Sequence, residues 1–210
     1  MNRIYLVNID NFDSFFPHLT SRNLKKGSFI YEEGQGPSGI YYINHGLVGL
    51  YHLAENGKET FLRVFGKNNL LGHRSYFCKE KYHASSQAIT NAEITFIPQE
   101  DLEIYLGQNP NSLRQILAQV ASDLGRSELR MSGRHDKSAG GRIIESIVFL
   151  KLHYPDQLWT RKQIADYSGS TFETVTRVLN KLEKDGDIIK NGRDFSIISV
   201  ESLLEKAGQY

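Results

Sequence analysis

Residues 159–188 read WTRKQIADYSGSTFETVTRVLNKLEKDGDI, and this stretch decides the fold of the C-terminal part of the chain. Thr160 and Gln163 have the three-residue spacing of a capping box, in which two backbone N–H groups at a helix start are satisfied. Gly169 supplies the turn, because glycine adopts positive φ without strain. Ser170 repeats the capping spacing ahead of a second apolar pattern. The stretch therefore predicts two short helices joined by a tight turn.

The second of these helices has one apolar side and one polar side. Its apolar positions recur at three- and four-residue steps, as in an amphipathic helix: Val175, Val178, Leu179 and Leu182. The first residues of the opposite side are those that reach base edges when such a helix enters a DNA major groove. A scaffold interpretation stays open, in which both helices only pack on a core and their charges are solvated.

The polar side carries residue types that suit DNA contacts. Glu173 can accept a hydrogen bond from cytosine N4, and Arg177 can pair with guanine or a phosphate. The threonines and the basic residues of the first helix suit contacts to the DNA backbone, which set register without reading sequence. The predicted contact residues are Arg161, Lys162, Thr171, Phe172, Glu173, Thr174, Thr176, Arg177 and Lys181.

A hairpin is predicted directly after the second helix. Two short apolar runs flank Asn191-Gly192, a dipeptide typical of tight hairpin turns. Two helices followed by a hairpin form a winged helix, and Lys190 and Arg193 would then lie near the wing tip, where phosphates are met.

The stretch 159–188 resembles the C-terminal signature of the bacterial Crp/Fnr transcription regulators, the family of the cyclic AMP receptor protein. In that family the recognition helix carries a small hydroxyl residue, then Arg, Glu, Thr, Val, a variable residue and Arg. The chain matches this pattern from Thr171 to Arg177, except that Phe172 replaces the first arginine. Phe172 cannot donate a hydrogen bond but can contact a thymine methyl. In a second interpretation it packs against the first helix.

The N-terminal part has a different pattern. Between Leu24 and Pro98, short runs rich in β-branched and aromatic residues alternate with glycine-containing turns, which predicts a double-sheet β-roll or jelly roll. We therefore assign the chain to the α+β class. The expected domains are a β-roll sensor domain over residues 1–108, a dimerisation helix and hinge over 109–137, and a winged helix-turn-helix domain over 138–210.

The family resemblance also implies an effector pocket in the β-roll. In the cyclic AMP receptor pattern, a Gly-Glu pair and a following Arg-Ser pair hold the ribose and the cyclic phosphate. Here His73 takes the place of the Glu, and Tyr82 and His83 take those of Arg and Ser. Without that arginine the chain lacks the family's bidentate hydrogen bonding to the phosphate, so we expect that cyclic AMP is not bound in the family's usual way. The corresponding pocket residues are Gly72, His73, Arg74, Ser75, Tyr82 and His83, and the small-molecule effector is unknown.

The segment after Asn109-Pro110 predicts a helix, with asparagine as its cap and proline in its first turn. Its apolar stripe consists of Leu113, Ile116, Leu117, Val120 and Leu124. This stripe can pack on the β-roll of its own chain or form a two-fold coiled-coil seam, and the resemblance favours the homodimer. Two recognition helices would then address half-sites about 34 Å apart on double-stranded DNA. Residues 132–141 break the apolar pattern and are expected to supply hinge glycines.

Composition narrows the remaining function classes. With 210 residues, 40% hydrophobic and 23% charged residues, and a net charge of +1, this is an ordinary folded protein without a general basic field. Cys78 is the single cysteine, so one chain cannot build a disulfide or a cysteine-ligated iron–sulfur cluster. The scattered histidines lack the close pair of a cupin-type metal site, and we expect neither a metal site nor an enzyme.

Other partners follow from the resemblance or stay open. His73 and His83 remain candidates for haem ligands, for metal ligands or for a pH-responsive pair. RNA polymerase is an implied partner, although the segment 154–158, where relatives often carry a longer polymerase-contacting loop, is short. Activation and repression are both open. Neither a signal peptide nor a membrane span is predicted, so we expect a cytoplasmic location.

Overall fold

The computed structural model describes residues 15–53 and 59–209. The chain divides into two compact units, Met1–Arg126 and Ser127–Tyr210. The first contains, in chain order, β1 (Ser21–Leu24), β2 (Phe29–Tyr31), β3 (Gly39–His45), β4 (Val48–Leu53), β5 (Glu59–Phe65), β6 (Leu70–Leu71), α1 (His73–Cys78), β7 (Ser85–Ala88), β8 (Ala92–Pro98), α2 (Gln99–Gln108) and the start of α3 (Pro110–Asp136).

Two antiparallel four-stranded sheets form the N-terminal unit, with strand orders β1-β8-β3-β6 and β2-β7-β4-β5. Successive side chains of a strand point to opposite faces, and β3 illustrates the result. Its Ile43 joins a cluster shared by strands of both sheets, whereas Ile40 and Tyr42 join a second cluster with Leu102 and Tyr105 of α2. The predicted β-roll is confirmed, with one core between the sheets and another under the helices.

The C-terminal unit is mainly helical. Its elements after α3 are α4 (Ala139–His153), α5 (Arg161–Ser168), α6 (Phe172–Lys184), β9 (Ile188–Asn191), β10 (Asp194–Ile197) and α7 (Val200–Gln209). Helices α4 and α7 approach closely at Gly141, where an added Cβ would lie 2.6 Å from the carbonyl oxygen of Ala207. The helix-turn-helix and the hairpin follow α4 in the predicted order, and the α+β assignment is confirmed.

The glycines that were predicted to interrupt the helices lie within them. Helix α3 continues to Asp136, and Gly140 and Gly141 lie inside α4. Two residues separate the helices, and the second, Ser138, caps α4 by accepting a hydrogen bond from the Gly141 N–H at 3.2 Å. Because this cap starts a helix, the glycines after it become helical. None of the described helices is both long and apolar enough to cross a membrane.

Candidate nucleic-acid interface

Helix α5 begins and ends as its sequence predicts. The Thr160 hydroxyl accepts from the Gln163 N–H at 3.2 Å, and the Gln163 side-chain oxygen accepts from the Thr160 N–H at 3.0 Å. The capping box is therefore confirmed. At the other end Gly169 adopts the left-handed conformation with φ of 65°, which reverses the chain within one residue.

Helix α6 begins one residue later than expected. Its N-cap is Thr171, which has an extended backbone and accepts from the Thr174 N–H at 3.2 Å. The prediction that Ser170 is the cap is wrong because Ser170 belongs to the end of α5. Its N–H donates to the Ala165 carbonyl at 2.9 Å, a bond that closes a helix terminus of the Schellman type.

The two sides of α6 separate as predicted. Val175, Val178, Leu179 and Leu182 are buried in the core of the unit. Phe172 is 50% exposed in the first turn, so it does not pack as local core in this structure. Glu173, Arg177 and Lys181 are exposed on the same open side.

The predicted contact residues differ in their local partners. Arg161, Glu173 and Arg177 are exposed and form no hydrogen bond or ion pair with the described residues. In contrast, Lys162 forms an ion pair with Asp166 at 2.8 Å. Three threonines already use their hydroxyls: Thr176 donates to the Phe172 carbonyl at 2.9 Å, and Thr171 and Thr174 lie 3.0 Å apart. The unpaired charges are therefore found at the start of α5 and in the first two turns of α6.

The hairpin after α6 turns one residue later than expected. Asn191 pairs with Asp194, so the two-residue loop consists of Gly192 and Arg193. Gly192 has a φ of 65°, and glycine at the first loop position is typical of a type II′ turn. Arg193 is exposed at the tip, as predicted for a wing. Lys190 instead contacts α6, with its Nζ 2.8 Å from Asn180 Oδ1.

Two arginines hold the end of α5, and sequence reasoning did not find them. Arg130, in the last turns of α3, lies over the Tyr167 ring at 4.3 Å and donates to the Tyr167 carbonyl at 3.0 Å. Arg142 of α4 donates to the Ser168 carbonyl at 3.3 Å. These carbonyls are in the last turn of a helix, where intrahelical donors are missing. Both arginines thus stabilise the helix that precedes the turn into α6.

The predicted effector residues are divided between core and surface. Tyr82 is buried and stacks on Tyr31, with ring centroids 3.8 Å apart. Burial raises the pKa of Tyr31 to about 12. His73 is also buried, and this burial lowers its pKa to about 4. A pKa of about 4 keeps the ring neutral near pH 7, and its Nδ1 has no hydrogen-bond partner among the described residues.

The other predicted effector residues surround this buried group. Gly72 has a φ of 76° and precedes α1, while Ser75 is buried and donates to the Lys81 carbonyl at 3.2 Å. Arg74 and His83 are exposed. Partial burial lowers the pKa of His83, and the charge of Arg74 acts in the same direction. The six residues therefore lie near one another, with Gly72 next to the Tyr82 ring, but they differ in exposure, and their role as an effector site stays a prediction.

The two histidines proposed as haem or metal ligands differ in exposure. His73 is enclosed by protein whereas His83 is exposed. Within residues 15–53 and 59–209, no three His, Cys, Asp or Glu side chains converge as metal ligands. The described residues therefore give no support for a haem site or a metal site.

Helix α3 presents two unlike sides within the N-terminal unit. Leu113, Leu117 and Leu124 are 48%, 66% and 59% exposed, and together with partly buried Val120 they follow the spacing of a coiled-coil seam. Ile116 does not belong to this seam. It packs in the cluster under α2, because its position lies on the flank of the stripe that faces the β-roll.

A buried ion pair joins α3 to the β-roll. Asp123 is 5% exposed, and its Oδ2 lies 2.5 Å from Nη1 of Arg63 on β5. Arg126, one turn further along α3, contacts the other carboxylate oxygen. No sequence pattern indicated this contact, since its two ends are separated by sixty residues.

A winged helix-turn-helix with an open recognition surface, joined to a β-roll, defines a DNA-binding regulator with a sensor-type domain. Comparison with known proteins agrees. Residues 21–109 match the model of the cyclic nucleotide-binding domain, and residues 141–206 match that of the Crp-like helix-turn-helix domain. The chain therefore belongs to the Crp/Fnr family of transcription regulators, as its sequence predicted.

Individual relatives show the extent of the likeness. Transcriptional activator protein Anr of Pseudomonas protegens is 26% identical over 196 residues, which cover 89% of this chain and 80% of that protein. An uncharacterized protein of Haemophilus influenzae is 36% identical over 104 residues, which cover 50% of this chain and 81% of the relative. The solved structure of FixK2 from Bradyrhizobium japonicum matches with a TM-score of 0.78 and 22% identity, covering 89% of this chain and 96% of the other.

Proposed function

We propose that this regulator binds a pseudo-palindromic operator as a homodimer, and that its β-roll responds to a signal other than cyclic AMP bound in the family's usual way. The observation that carries the proposal is the open face of α6, on which Glu173 and Arg177 are exposed and unpaired among the described residues. Unpaired polar groups at the start of a recognition helix are available to base edges.

Phe172 determines one base preference of the proposed operator. Its ring is half-exposed in the first turn of α6, at the position where the family pattern has an arginine. An aromatic ring contacts a thymine methyl but cannot pair with guanine. We therefore expect thymine at the base pair that faces Phe172, and a preference for cytosine or guanine at the pairs that face Glu173 and Arg177.

Dimerisation is supported by the exposed seam of α3. Leu113, Leu117 and Leu124 would place three large apolar side chains in water in a monomer. A second copy packed along this seam buries their exposed half to two-thirds, so each leucine contributes about 1–2 kcal/mol, a corresponding share of the value for full burial. A two-fold axis through the seam also presents two α6 helices to half-sites about 34 Å apart.

The proposal about cyclic AMP is supported by the interior of the β-roll. Tyr82, aligned with the phosphate-binding arginine of the family, stacks on Tyr31 in the core. A tyrosine offers one hydrogen bond and no positive charge, whereas an arginine binds phosphate through two parallel hydrogen bonds. His73, aligned with the ribose-binding glutamate, is buried and held neutral.

The DNA-binding proposal is tested by selection of duplexes from fragmented genomic DNA, followed by salt titration of the recovered site. We expect a two-fold symmetric site and an affinity that falls steeply with salt. Arg177→Ala should weaken specific binding by roughly 1–3 kcal/mol for each base pair that Arg177 reads. Lys184→Ala removes the same charge from the far end of α6 and should change base preference at no position. Equal effects of the two variants would contradict the assigned role of Arg177.

The dimer and the effector need separate measurements. Light scattering should give twice the chain mass for the wild type and the chain mass for Leu117→Glu. The control is Leu204→Glu, which changes an exposed leucine of α7 in the C-terminal unit and should remain dimeric. Calorimetric titration with cyclic AMP should show no binding; micromolar affinity would refute that part of the proposal.

A further inference from the structure

The wing is tied to the recognition helix by one lysine. Lys190 lies on β9, and its Nζ donates to Asn180 Oδ1 at 2.8 Å and to Glu183 Oε2 at 2.5 Å. Asn180 and Glu183 lie one turn apart on α6, so both acceptors face the hairpin. A lysine ammonium has three N–H donors, and two of them are thereby engaged within the protein.

The register of the hairpin gives a second, independent reason for this orientation. Lys190 pairs directly with Phe195 of β10, and paired residues of an antiparallel ladder project to the same face. Phe195 and Ile188 are buried whereas Ile189 is 55% exposed. Strand alternation therefore directs Lys190 toward the helices, whereas the sequence predicted it near the wing tip among the phosphates.

The same contact fixes the orientation of the Asn180 side chain. To read adenine, an asparagine must present both its oxygen and its NH₂ group to one base edge. In this structure the oxygen of Asn180 accepts from Lys190, so the side chain is held toward the wing. The residues of α6 that remain placed to read bases are therefore those of its first two turns, from Phe172 to Arg177, and Lys181 lies beyond them on the same open side.

We propose that Lys190 is a positioning residue, which fixes the wing against α6, withholds Asn180 from the bases and leaves Arg193 as the phosphate contact of the wing. Arg193 is exposed at the hairpin tip and has no ion pair with the described residues. This inference rests on the proposed DNA binding and adds to it the length of the half-site that each subunit reads.

The test uses the full-length protein and the operator recovered with the wild type. Lys190→Met is combined with Glu183→Gln, so that no uncompensated carboxylate is left on α6. We expect this double variant to bind the operator about three- to tenfold more weakly, since it removes one hydrogen bond and one exposed ion pair. The slope of its log binding constant against log salt concentration should equal that of the wild type. Arg193→Gln is the matched control and should reduce the slope by about one for each subunit.

A second measurement is the base preference of each variant, which would not change if Lys190 only stabilised the fold. Asn180→Ala should select the same sequence motif as the wild type from random duplexes. The Lys190→Met/Glu183→Gln variant should gain a preference for adenine at one further position, because the Asn180 amide is released. Adding Asn180→Ala to that variant should abolish the new preference.

Two results would overturn the inference while leaving the proposed function intact. One is a salt slope for the Lys190 variant that falls as far as that of Arg193→Gln, which would make Lys190 a phosphate contact. The other is a relaxed base position in Asn180→Ala alone, which would make Asn180 a reader of DNA. The Asn180→Ala arm disturbs no core residue, so it decides the matter even if the Lys190 variant does not fold. A wild type that retains no duplex would instead refute the proposed function and, with it, the inference.

Discussion

Replacing Gly141 by alanine should destabilise the DNA-binding unit, although alanine is the better helix former. The added Cβ would lie 2.6 Å from the Ala207 carbonyl oxygen, whereas ordinary contact begins at 3.4 Å. The obstacle is helix backbone and cannot rotate away, so α4 and α7 must separate by several tenths of an ångström. This separation loosens the packing of Ile143, Ile144 and Leu203, which are fully buried.

The expected size follows from two opposing effects. Overpacking of a closely packed site costs about 1–3 kcal/mol. Removing a glycine from a helix returns at most about 1 kcal/mol. With that return taken in full, we expect a net loss of up to about 2 kcal/mol for Gly141→Ala and a larger loss for Gly141→Val, whose branched side chain extends further toward α7.

The chain's single tryptophan makes the assay specific to this unit. Trp159 is buried in the C-terminal unit, so its emission reports the unfolding of that unit in urea. A loss of 1 kcal/mol lowers the midpoint by roughly 1 M for a small unit. Gly208→Ala, in α7 with nothing near the added Cβ, is the control and should leave the midpoint unchanged or slightly higher. A Gly141→Ala midpoint at or above that of the wild type would refute the close-approach argument.

Three further perturbations test other contacts. Burial lowers the pKa of His73 from 6.5 to about 4, so the unfolded chain binds a proton at a higher pH than the folded chain does. The β-roll should therefore lose on the order of 3 kcal/mol of stability as the pH falls from about 6.5 to about 4. His73→Gln should remove that part of the pH dependence when unfolding is followed by circular dichroism. Asp123→Asn leaves the 30%-exposed Arg63 side chain without its anion and should cost about 2–4 kcal/mol in the same assay, whereas a loss under about 0.5 kcal/mol would show that the ion pair is not stabilising. Arg130→Met removes the stacking and the hydrogen bond at Tyr167 and should lower the free energy of unfolding in urea, followed by tryptophan emission, by about 1–2 kcal/mol, with Arg130→Lys between that variant and the wild type.

Sequence reasoning succeeded where the interacting residues are neighbours along the chain. The capping box of Thr160 and Gln163 and the positive φ of Gly169 are local features. The apolar stripe of α6 is a periodic one, and its members are buried as expected. These signals were sufficient to predict the helix-turn-helix, and the family was predicted from the resemblance of residues 171–177 to the Crp/Fnr pattern.

The one-residue errors arose where adjacent residues compete for the same role. Ser170 and Thr171 both carry a capping hydroxyl. The choice between them is made by the end of α5, which uses the Ser170 N–H. Likewise, Gly192 occurs in the turn under either register, and strand pairing decides that Arg193 is its partner in the loop.

The remaining differences concern contacts between distant parts of the chain. Lys190 was assigned to the wing tip, and Arg130 and Asp123 were not singled out, because an isolated charge in a sequence carries no information about its partner. The same limit applies to Ile116, which continues an apolar stripe in sequence but faces its own β-roll in the structure. The sequence therefore predicted which face of α6 carries the candidate DNA contacts. Which of those side chains are already engaged by other residues could be seen only in the structure.

The leucines left open along α3 also have a consequence for the cell. If the proposed homodimer forms through them, pairing is bimolecular, and at low abundance the concentration of paired subunits rises with the square of the copy number. A twofold change in gene dosage would then alter promoter occupancy about fourfold, and transcription would respond to the amount of this regulator more sharply than to a monomeric repressor or activator.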